Sequence, residues 1–149
     1  MTAENTDRAL PALVLDTNAT LDWLVFGNPA MQAPARAILT GAVAWLVCRA
    51  MRNELAHMLA HPSLVRWAPD TPATLATFDS FAQVQAPPPL LHHGRLVCSD
   101  PDDQVFIDLA LMHRARWLLT HDRALHKLAR RAAVRGLAIV TPSGWALTG

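Results

Sequence analysis

Short apolar runs that end abruptly at polar residues are the feature that most constrains how this chain folds. Each run holds four or five residues without strict alternation of apolar and polar side chains, which is typical of a strand buried on both faces. Stretches with a helical pattern separate these predicted strands, which are residues 12–15, 43–47, 117–120 and 136–140. Strands that alternate with helices form a parallel sheet between helical layers. We therefore predict an α/β fold, a three-layer α/β/α sandwich with a central parallel sheet of about four strands.

Residues with known positional preferences mark the ends of the intervening helices. Ser99-Asp100-Pro101 combines a capping side chain with a proline at the first helical position, which predicts a helix start. The prolines at 87–89 stop the preceding helix, because the residue before a proline avoids helical backbone. The predicted helices are residues 33–39, 49–60, 72–84, 99–113 and 122–131, with a short terminal helix after Pro142.

Composition limits the classes of protein to which the chain can belong. With 52% hydrophobic and 17% charged residues among 149, it can bury a core, which excludes an intrinsically disordered protein. We predict a flexible N-terminal segment over 1–11 and a single domain over 12–149. No apolar run approaches the roughly 18 residues that cross a bilayer, so we expect a soluble cytoplasmic protein without membrane association. Cys48 and Cys98 lack zinc-site spacing, and we expect two buried reduced thiols.

The charge is balanced in total but uneven along the chain. A net charge of +1 is too small to indicate a nucleic-acid partner by itself. The stretch from 113 to 135 nevertheless carries a cluster of basic residues with Asp122 as its only acid: Arg114, Arg116, Arg123, Lys127, Arg130, Arg131 and Arg135. This cluster is either a phosphate-facing surface or a solvated helix face.

Acidic residues follow two of the predicted strands at the point where each strand ends. Asp16 comes directly after residues 12–15, in what we interpret as a polar turn, and Asp122 comes two residues after Thr120. Ligands of open α/β sheets gather outside the carboxyl ends of the strands, so these two carboxylates share one rim if their strands are neighbours. Asp103 lies in the first turn of the helix that leads into the second of these strands, and Glu54 lies in the helix after residues 43–47.

Each aspartate has an alternative explanation as a helix cap, because aspartate accepts hydrogen bonds from the free amides of a helix N-terminus. That explanation applies to Asp16, Asp100, Asp102, Asp103 and Asp122. Glu54 does not fit it, since Glu54 lies in mid-helix at the margin of an apolar stripe and is expected to half-face the core. Converging acids raise one another's pKa unless a cation lies between them. Oxygen-only clusters suit Mg²⁺ or Mn²⁺, and a metal site explains the whole set.

A histidine-based zinc site is the competing metal hypothesis. Glu54, His57 and His61 stand at helical spacing, but the order does not match the HExxH motif, and the two histidines fall on the polar flank of the helix. His92 and His93 form a loop pair without an obvious partner. We therefore favour the carboxylate site.

Four short motifs in order carry a resemblance to a known family. LVLDTN, RNELAHML, SDPDDQVFIDLA and LLTHDRAL together resemble the PIN domain family, and more closely its branch of toxin components of toxin–antitoxin pairs. The likeness runs from Leu13 to Trp145 and includes the ending IVTPSGW.

The resemblance implies the site residues position by position. Asp16, Glu54, Asp103 and Asp122 take the acidic metal-site positions. Asn18 and Thr120 fall at supporting polar positions. Gln104 departs from the pattern, because this branch often has another acid there. Direct metal contact therefore stays open among Asp100, Asp102 and Asp103, with Asp100 taken as a supporting residue.

The activity implied by the resemblance is that of a Mg²⁺- or Mn²⁺-dependent endoribonuclease, in which the metal activates water and polarises the phosphodiester. RNA contacts are assigned to Arg123, Lys127, Arg130 and Arg131. The implied partners are an RNA substrate, a cognate antitoxin protein and a second copy of the chain in a homodimer.

Two other functions are weighed against the ribonuclease. A phosphatase of the haloacid-dehalogenase type also begins with a strand and Asp-Thr, but it needs a second aspartate where this chain has Asn18. A non-catalytic PIN-like module that binds RNA or protein is disfavoured, because a complete acidic set is costly to fold without a metal.

Overall fold

A computed structural model describes residues 10–89 and 95–147 of the chain. In these ranges one parallel sheet holds five strands in the order β3-β2-β1-β4-β5. The strands are β1 Ala12–Leu15, β2 Ala44–Val47, β3 Ala82–Val84, β4 Trp117–Leu119 and β5 Ala138–Val140. The all-parallel α/β architecture with helices around the sheet is the predicted one.

Helices connect successive strands, and short 3₁₀ turns precede or follow several of them. The α-helices are α1 Thr17–Leu24, α2 Gln32–Leu39, α3 Arg49–Leu59, α4 Thr71–Phe81, α5 Gln104–Met112, α6 Arg123–His126 and α7 Ala129–Val134. The 3₁₀ turns are Pro29–Met31, Pro62–Trp67, Pro101–Asp103 and Pro142–Gly144. None of these helices is both long and apolar enough to cross a membrane.

The strand β1 lies at the centre of the sheet and of the core. Leu13 pairs with Trp45 of β2 on one side and with Trp117 of β4 on the other. Leu13, Val14 and Leu15 are at most 1% exposed, as expected for a strand covered by helices on both faces. Cys48 and Cys98 are buried free thiols, as predicted.

The sheet has one more strand than predicted. The helix predicted over 72–84 ends at Phe81, and Ala82–Val84 pairs in parallel with Trp45–Val47. This edge strand has only three residues, and Gln83 and Val84 are exposed, so no apolar run marks it. Pairing with β2 decides its conformation, which is a tertiary effect that local propensity does not contain.

Two predicted local structures also need correction. The polar turn at residues 16–18 is the start of helix α1, and Asp16 is its N-cap. The helix predicted over 122–131 is divided into α6 and α7, because the chain leaves regular α-helix between His126 and Ala129. Residues 1–9, 90–94 and 148–149 lie outside the described ranges, so the flexible segment over 1–11 and the single domain over 12–149 stay predictions, as does the pairing of His92 and His93.

Candidate functional site

The candidate site lies at the carboxyl ends of β1 and β4, which are neighbours in the sheet. Asp16 continues β1, and its backbone N–H donates to the carbonyl of Leu119 at 3.3 Å. Asp122 follows β4 by the short link through Thr120. The shared rim expected from the sequence is therefore present, because parallel strands put their carboxyl ends at one edge of the sheet.

Asp16 is almost fully buried and held through both carboxylate oxygens. Its Oδ1 accepts a hydrogen bond from the backbone N–H of Ala19 at 2.8 Å, which caps helix α1. Its Oδ2 accepts a hydrogen bond from the hydroxyl of Thr120. Burial raises the pKa of Asp16 above its usual range, while the bonds from Thr120 and Ala19 act in the opposite direction.

Thr120 connects the two acids of the rim. Its side chain is fully buried; while the hydroxyl donates to Asp16, its oxygen accepts from the backbone N–H of Asp122 at 2.9 Å. Asp122 in turn caps helix α6, with Oδ1 accepting from the N–H of Ala124 at 2.7 Å. The supporting position that the resemblance implies for Thr120 therefore coincides with a bridge between Asp16 and Asp122.

Asp103 differs from these caps. It stands at the N-cap position of helix α5, but its side chain makes no capping hydrogen bond. Its Oδ2 is buried and has no hydrogen-bond partner within the described part of the chain. Burial, a hydrogen bond with the Asp122 carboxylate that only a protonated Asp103 can donate, and the charges of Asp122, Asp100 and Asp16 raise the pKa of Asp103 to about 7. The unpartnered state of Oδ2 is therefore that of the ionised carboxylate.

Three carboxylates converge closely at this point. Asp100, Asp103 and Asp122 each offer an oxygen, and these oxygens lie within 4.8 Å of one another. Asp100 also caps the Pro101–Asp103 turn by accepting from the N–H of Asp102 at 3.0 Å. Carboxylate oxygens at this spacing, one of them buried and unpartnered, match the ligands that Mg²⁺ or Mn²⁺ prefers. The residues present therefore fit a hard divalent cation.

A cavity of about 370 Å³ surrounds the acids. Its polar lining residues are Asp16, Thr17, Asn18, Glu54, Asp102, Asp103 and Asp122. Glu54 was expected to half-face the core, but it is exposed on α3, because Met51 and Leu55 take the buried positions of that helix. Glu54 and Asn18 thus lie in the wall of the cavity, outside the tight triplet of Asp100, Asp103 and Asp122.

Comparison with known families identifies the family to which the chain belongs. The sequence profile of the PIN domain matches residues 12–124, which is most of the chain. The chain belongs to the PIN domain family. PIN domains are usually nucleases and generally use divalent metals, in accord with the acidic cluster.

The fold of this PIN domain is also similar to a solved structure. The crystal structure of the protein PAE2754 from Pyrobaculum aerophilum superimposes with a TM-score of 0.51, covering 83% of this chain and 96% of that chain. The two sequences are 21% identical, so the likeness supports the fold alone. No curated protein matches the chain in sequence.

The histidine alternative does not assemble in this PIN domain. The rings of His57 and His61 are 6.5 Å apart, and Nδ1 of His61 accepts from the N–H of Ser63 at 3.1 Å. Across residues 10–89 and 95–147, the acidic triplet is the only group of three or more potential ligands that come together. The helical spacing of Glu54, His57 and His61 therefore does not produce a zinc site among the described residues.

The basic cluster is divided between the two edges of the sheet. Arg123, Lys127, Arg130 and Arg131 follow Asp122 on α6, α7 and the link between them, and all four are exposed. Arg114 and Arg135 precede β4 and β5, and they line a separate cavity of about 740 Å³ at the amino ends of these strands. Arg114 and Arg135 therefore lie at the opposite ends of the strands from Arg123, and the phosphate contacts assigned to Arg123, Lys127, Arg130 and Arg131 stay a prediction.

A buried polar network beside the site was missed by the sequence reasoning. Asp108 is 3% exposed and pairs with Arg95, with 2.9 Å between its Oδ2 and Nη2 of the arginine. Gln104 is also buried and donates from Nε2 to Oδ1 of Asp108 at 3.0 Å. The signal that could have found the network is the spacing of Gln104 and Asp108, four residues apart on the apolar face of a helix.

Proposed function

We propose that this PIN domain is a divalent-metal-dependent endoribonuclease that hydrolyses RNA phosphodiesters with a metal-activated water. The observation that carries the proposal is the buried Oδ2 of Asp103, which has no partner within the described residues and lies in a cluster with Asp100 and Asp122. A buried carboxylate oxygen without a partner is costly, and a cation removes that cost. Helix capping alone does not explain a buried carboxylate oxygen that accepts no hydrogen bond.

The close triplet of Asp100, Asp103 and Asp122 would hold the metal, with Asp103 and Asp122 as its central ligands. Asp16 and Glu54, which the resemblance also assigns to the metal, lie in the wall of the same cavity as Asp103 and Asp122. When bound, the ion supplies a water of lowered pKa and polarises the phosphodiester. The proposal is consistent with the burial of both cysteines, which leaves neither thiol exposed as a nucleophile.

The chain's own residues orient the site and keep its charge in place. Thr120 holds the Asp16 carboxylate and the backbone of Asp122 in one arrangement, so neither acid has to be ordered when the substrate arrives. Arg123 follows Asp122 directly and is exposed. We assign phosphate binding to Arg123 and to Lys127, Arg130 and Arg131 beyond it.

The first experiment separates a nuclease from a binding module. Purified protein is incubated with single-stranded and structured RNAs in Mn²⁺ and in EDTA, and cleavage and gel shift are measured in parallel. We expect cleavage in Mn²⁺ and none in EDTA. A shift without cleavage in both buffers, by protein that carries no contaminating nuclease, would identify a non-catalytic module instead.

The biological role that we propose is the toxin of a toxin–antitoxin pair, acting in the cytoplasm and controlled by a cognate antitoxin protein. Expression of the wild-type chain alone should arrest bacterial growth, and Asp16→Asn should relieve the arrest. Harmless expression of soluble, active enzyme would instead point to an RNA-processing nuclease. The homodimer stays a prediction, which light scattering of the purified chain tests.

A further inference from the structure

The acids Asp100 and Asp103 lie in one short turn, Ser99–Asp103, between the segment that ends at Cys98 and helix α5. These carboxylates repel each other and Asp122 when no cation lies between them. Hydrogen bonds that tie the two ends of the turn together oppose this repulsion. The side chain of Gln104, directly after the turn, makes such bonds to the segment before it.

Gln104 is the first residue of α5 and is 8% exposed. Its Oε1 accepts from the backbone N–H of Cys98 at 2.7 Å, and its Nε2 donates to the carbonyl of Leu96, also at 2.7 Å. The side chain thus bonds to one N–H and one carbonyl of the backbone before the turn, and it joins the residue after the acidic turn to the segment before it.

The orientation of the Gln104 carboxamide is determined by its partners. Nε2 faces two acceptors, the Leu96 carbonyl and Oδ1 of Asp108, while Oε1 faces an N–H. Asp108 is held in turn by Arg95, whose Nε donates to Oδ2 at 3.1 Å. In this chain an ionised carboxylate at position 104 would place an oxygen against two acceptors, the Leu96 carbonyl and Asp108. The arrangement therefore suits the glutamine by which this chain departs from the acid that is common there in the branch it resembles.

We propose that Gln104 is a positioning residue, whose carboxamide closes the Ser99–Asp103 turn and thereby holds the Asp100 and Asp103 carboxylates at the spacing for one divalent cation. The inference rests on the proposed function, because it concerns the same metal site. Gln104 does not line the cavity that contains Asp103 and Asp122, and its side chain bonds to Cys98, Leu96 and Asp108 instead of to an acid of the triplet. Its effect therefore passes through the backbone of the turn.

Two substitutions of Gln104 test the proposal through Mn²⁺ affinity, measured from the electron paramagnetic resonance of free Mn²⁺ with metal-stripped protein at neutral pH. Gln104→Met preserves the volume and removes all three hydrogen bonds. Gln104→Glu preserves the acceptor for Cys98 and places a second carboxylate oxygen against Leu96 and Asp108. We expect each to weaken Mn²⁺ binding by about tenfold or more, as is found for residues that orient metal ligands.

Whether Gln104→Glu weakens or tightens Mn²⁺ binding shows if the side chain at position 104 positions the turn or reaches the cation itself. If the side chain at 104 reached the cation, an added carboxylate would tighten Mn²⁺ binding, and that result would overturn the proposal. Binding equal to that of the wild type in Gln104→Met would overturn it as well. Should both variants fail to fold, Gln104→Asn retains the carboxamide on a side chain one methylene shorter, and the same weakening is expected.

A control separates positioning from general loss of stability. Trp145 is buried against Trp117, the first residue of β4, with 5.3 Å between the ring centroids, and it lies at the opposite end of that strand from the acids. Trp145→Leu should lower the melting temperature while leaving Mn²⁺ affinity unchanged. If Trp145→Leu, at an equal loss of melting temperature, weakens Mn²⁺ binding as much as Gln104→Met does, the role of Gln104 is merely structural and the proposal is wrong.

A double-mutant cycle tests whether Gln104 acts through Asp100. Asp100→Asn should weaken Mn²⁺ binding less in the Gln104→Met background than in the wild type, because the turn no longer holds Asp100 in place. Equal weakening in both backgrounds would overturn the proposal. Wild-type protein that binds Mn²⁺ without cutting RNA would contradict the proposed function alone, whereas wild-type protein that binds no Mn²⁺ would contradict both.

Discussion

The two ends of the parallel strands carry different cavities, and the charged side chains that line them have opposite sign. At the carboxyl ends of the strands, acids surround a cavity of about 370 Å³. At the amino ends of β4 and β5, Arg114 and Arg135 join apolar side chains such as Leu111 and Met112 around a cavity of about 740 Å³, and no acid is among its described lining residues. Among the described residues the larger cavity has no carboxylate that could bind a metal, so cavity size does not locate the proposed metal site.

Part of this difference follows from the helices. Helices α1, α3 and α6 begin at the carboxyl edge, where their positive N-terminal ends favour aspartates, and α5 and α7 end near the amino edge, where arginines are favourable. Asp16 and Asp122 make capping hydrogen bonds and are accounted for in this way, whereas Asp103 makes none. Asp103 is the acid that helix capping does not explain, and it is therefore the one that indicates a functional site.

The largest expected effect is the loss of cleavage when an acid of the carboxyl edge is replaced. Asp103→Asn should reduce RNA cleavage in Mn²⁺ by at least about a hundredfold, since even indirect partners of a metal contribute ten- to a hundredfold. Asp70→Asn is the matched control, because Asp70 caps α4 outside the site and asparagine also caps. Equal activity of the two variants would remove Asp103 from the site.

The next largest effect is stabilisation of the folded protein by metal, which should depend on the acids at the carboxyl ends of the strands and not on the arginines at the amino ends. At 100 times its dissociation constant, Mn²⁺ should stabilise the wild type by about 2.7 kcal/mol, or roughly 5–10 °C in melting temperature. Asp103→Asn should lose most of that shift, while the double variant Arg114→Ala, Arg135→Ala should keep it. If the arginine double variant lost the Mn²⁺-induced shift in melting temperature, residues at the amino ends of the strands would contribute to metal binding at the carboxyl ends.

A smaller effect is expected when the pH is changed in EDTA, on the stability of the metal-free protein. A carboxyl whose pKa is raised in the folded state stabilises the fold below its unfolded pKa of about 4, and that contribution is lost as pH rises through the folded value. For Asp103 that value is about 7. Metal-free wild type should therefore lose on the order of 1–2 kcal/mol between these pH values, after allowance for solvent screening.

Thermal melts of the wild type and Asp103→Asn across this range measure the effect. The variant lacks the titrating carboxyl, so it should be more stable than the wild type in EDTA above pH 7 and should show a flatter pH profile. Asp70→Asn should follow the wild-type profile. A variant that melts below the wild type at every pH would show that Asp103 stabilises the fold as a carboxylate.

The smallest effect concerns RNA affinity at the two edges. Replacing Arg123 and Lys127 by alanine should reduce the salt dependence of single-stranded RNA binding by about 0.7 in log–log slope for each lost phosphate contact. Replacing Arg114 and Arg135 should leave the slope unchanged, because they lie at the other edge. If only the second pair changes the slope, RNA approaches from the amino ends of the strands and the proposed phosphate contacts are wrong.

The strands of the core could be predicted because each is a short apolar run bounded by polar residues. The absence of alternating polar residues within each run indicated that both faces of the strand are buried. The edge strand β3 could not, since its three residues have no apolar pattern and adopt strand conformation by pairing with β2. The same limit applies to Glu54. Its position at the margin of a stripe did not distinguish a half-buried side chain from an exposed one in a cavity wall.

The sequence by itself determined that Asp16 and Asp122 follow the ends of two buried strands, which puts them on one rim if those strands are neighbours. The tertiary structure decided that β1 and β4 are neighbours. It also decided which acids approach closely, and it brought Asp100 into the triplet with Asp103 and Asp122. The hydrogen bonds of Gln104 to the backbone of Leu96 and Cys98 are likewise a result of tertiary packing. Sequence spacing sets the edge on which a side chain lies, but distances of a few ångströms depend on how separate segments pack.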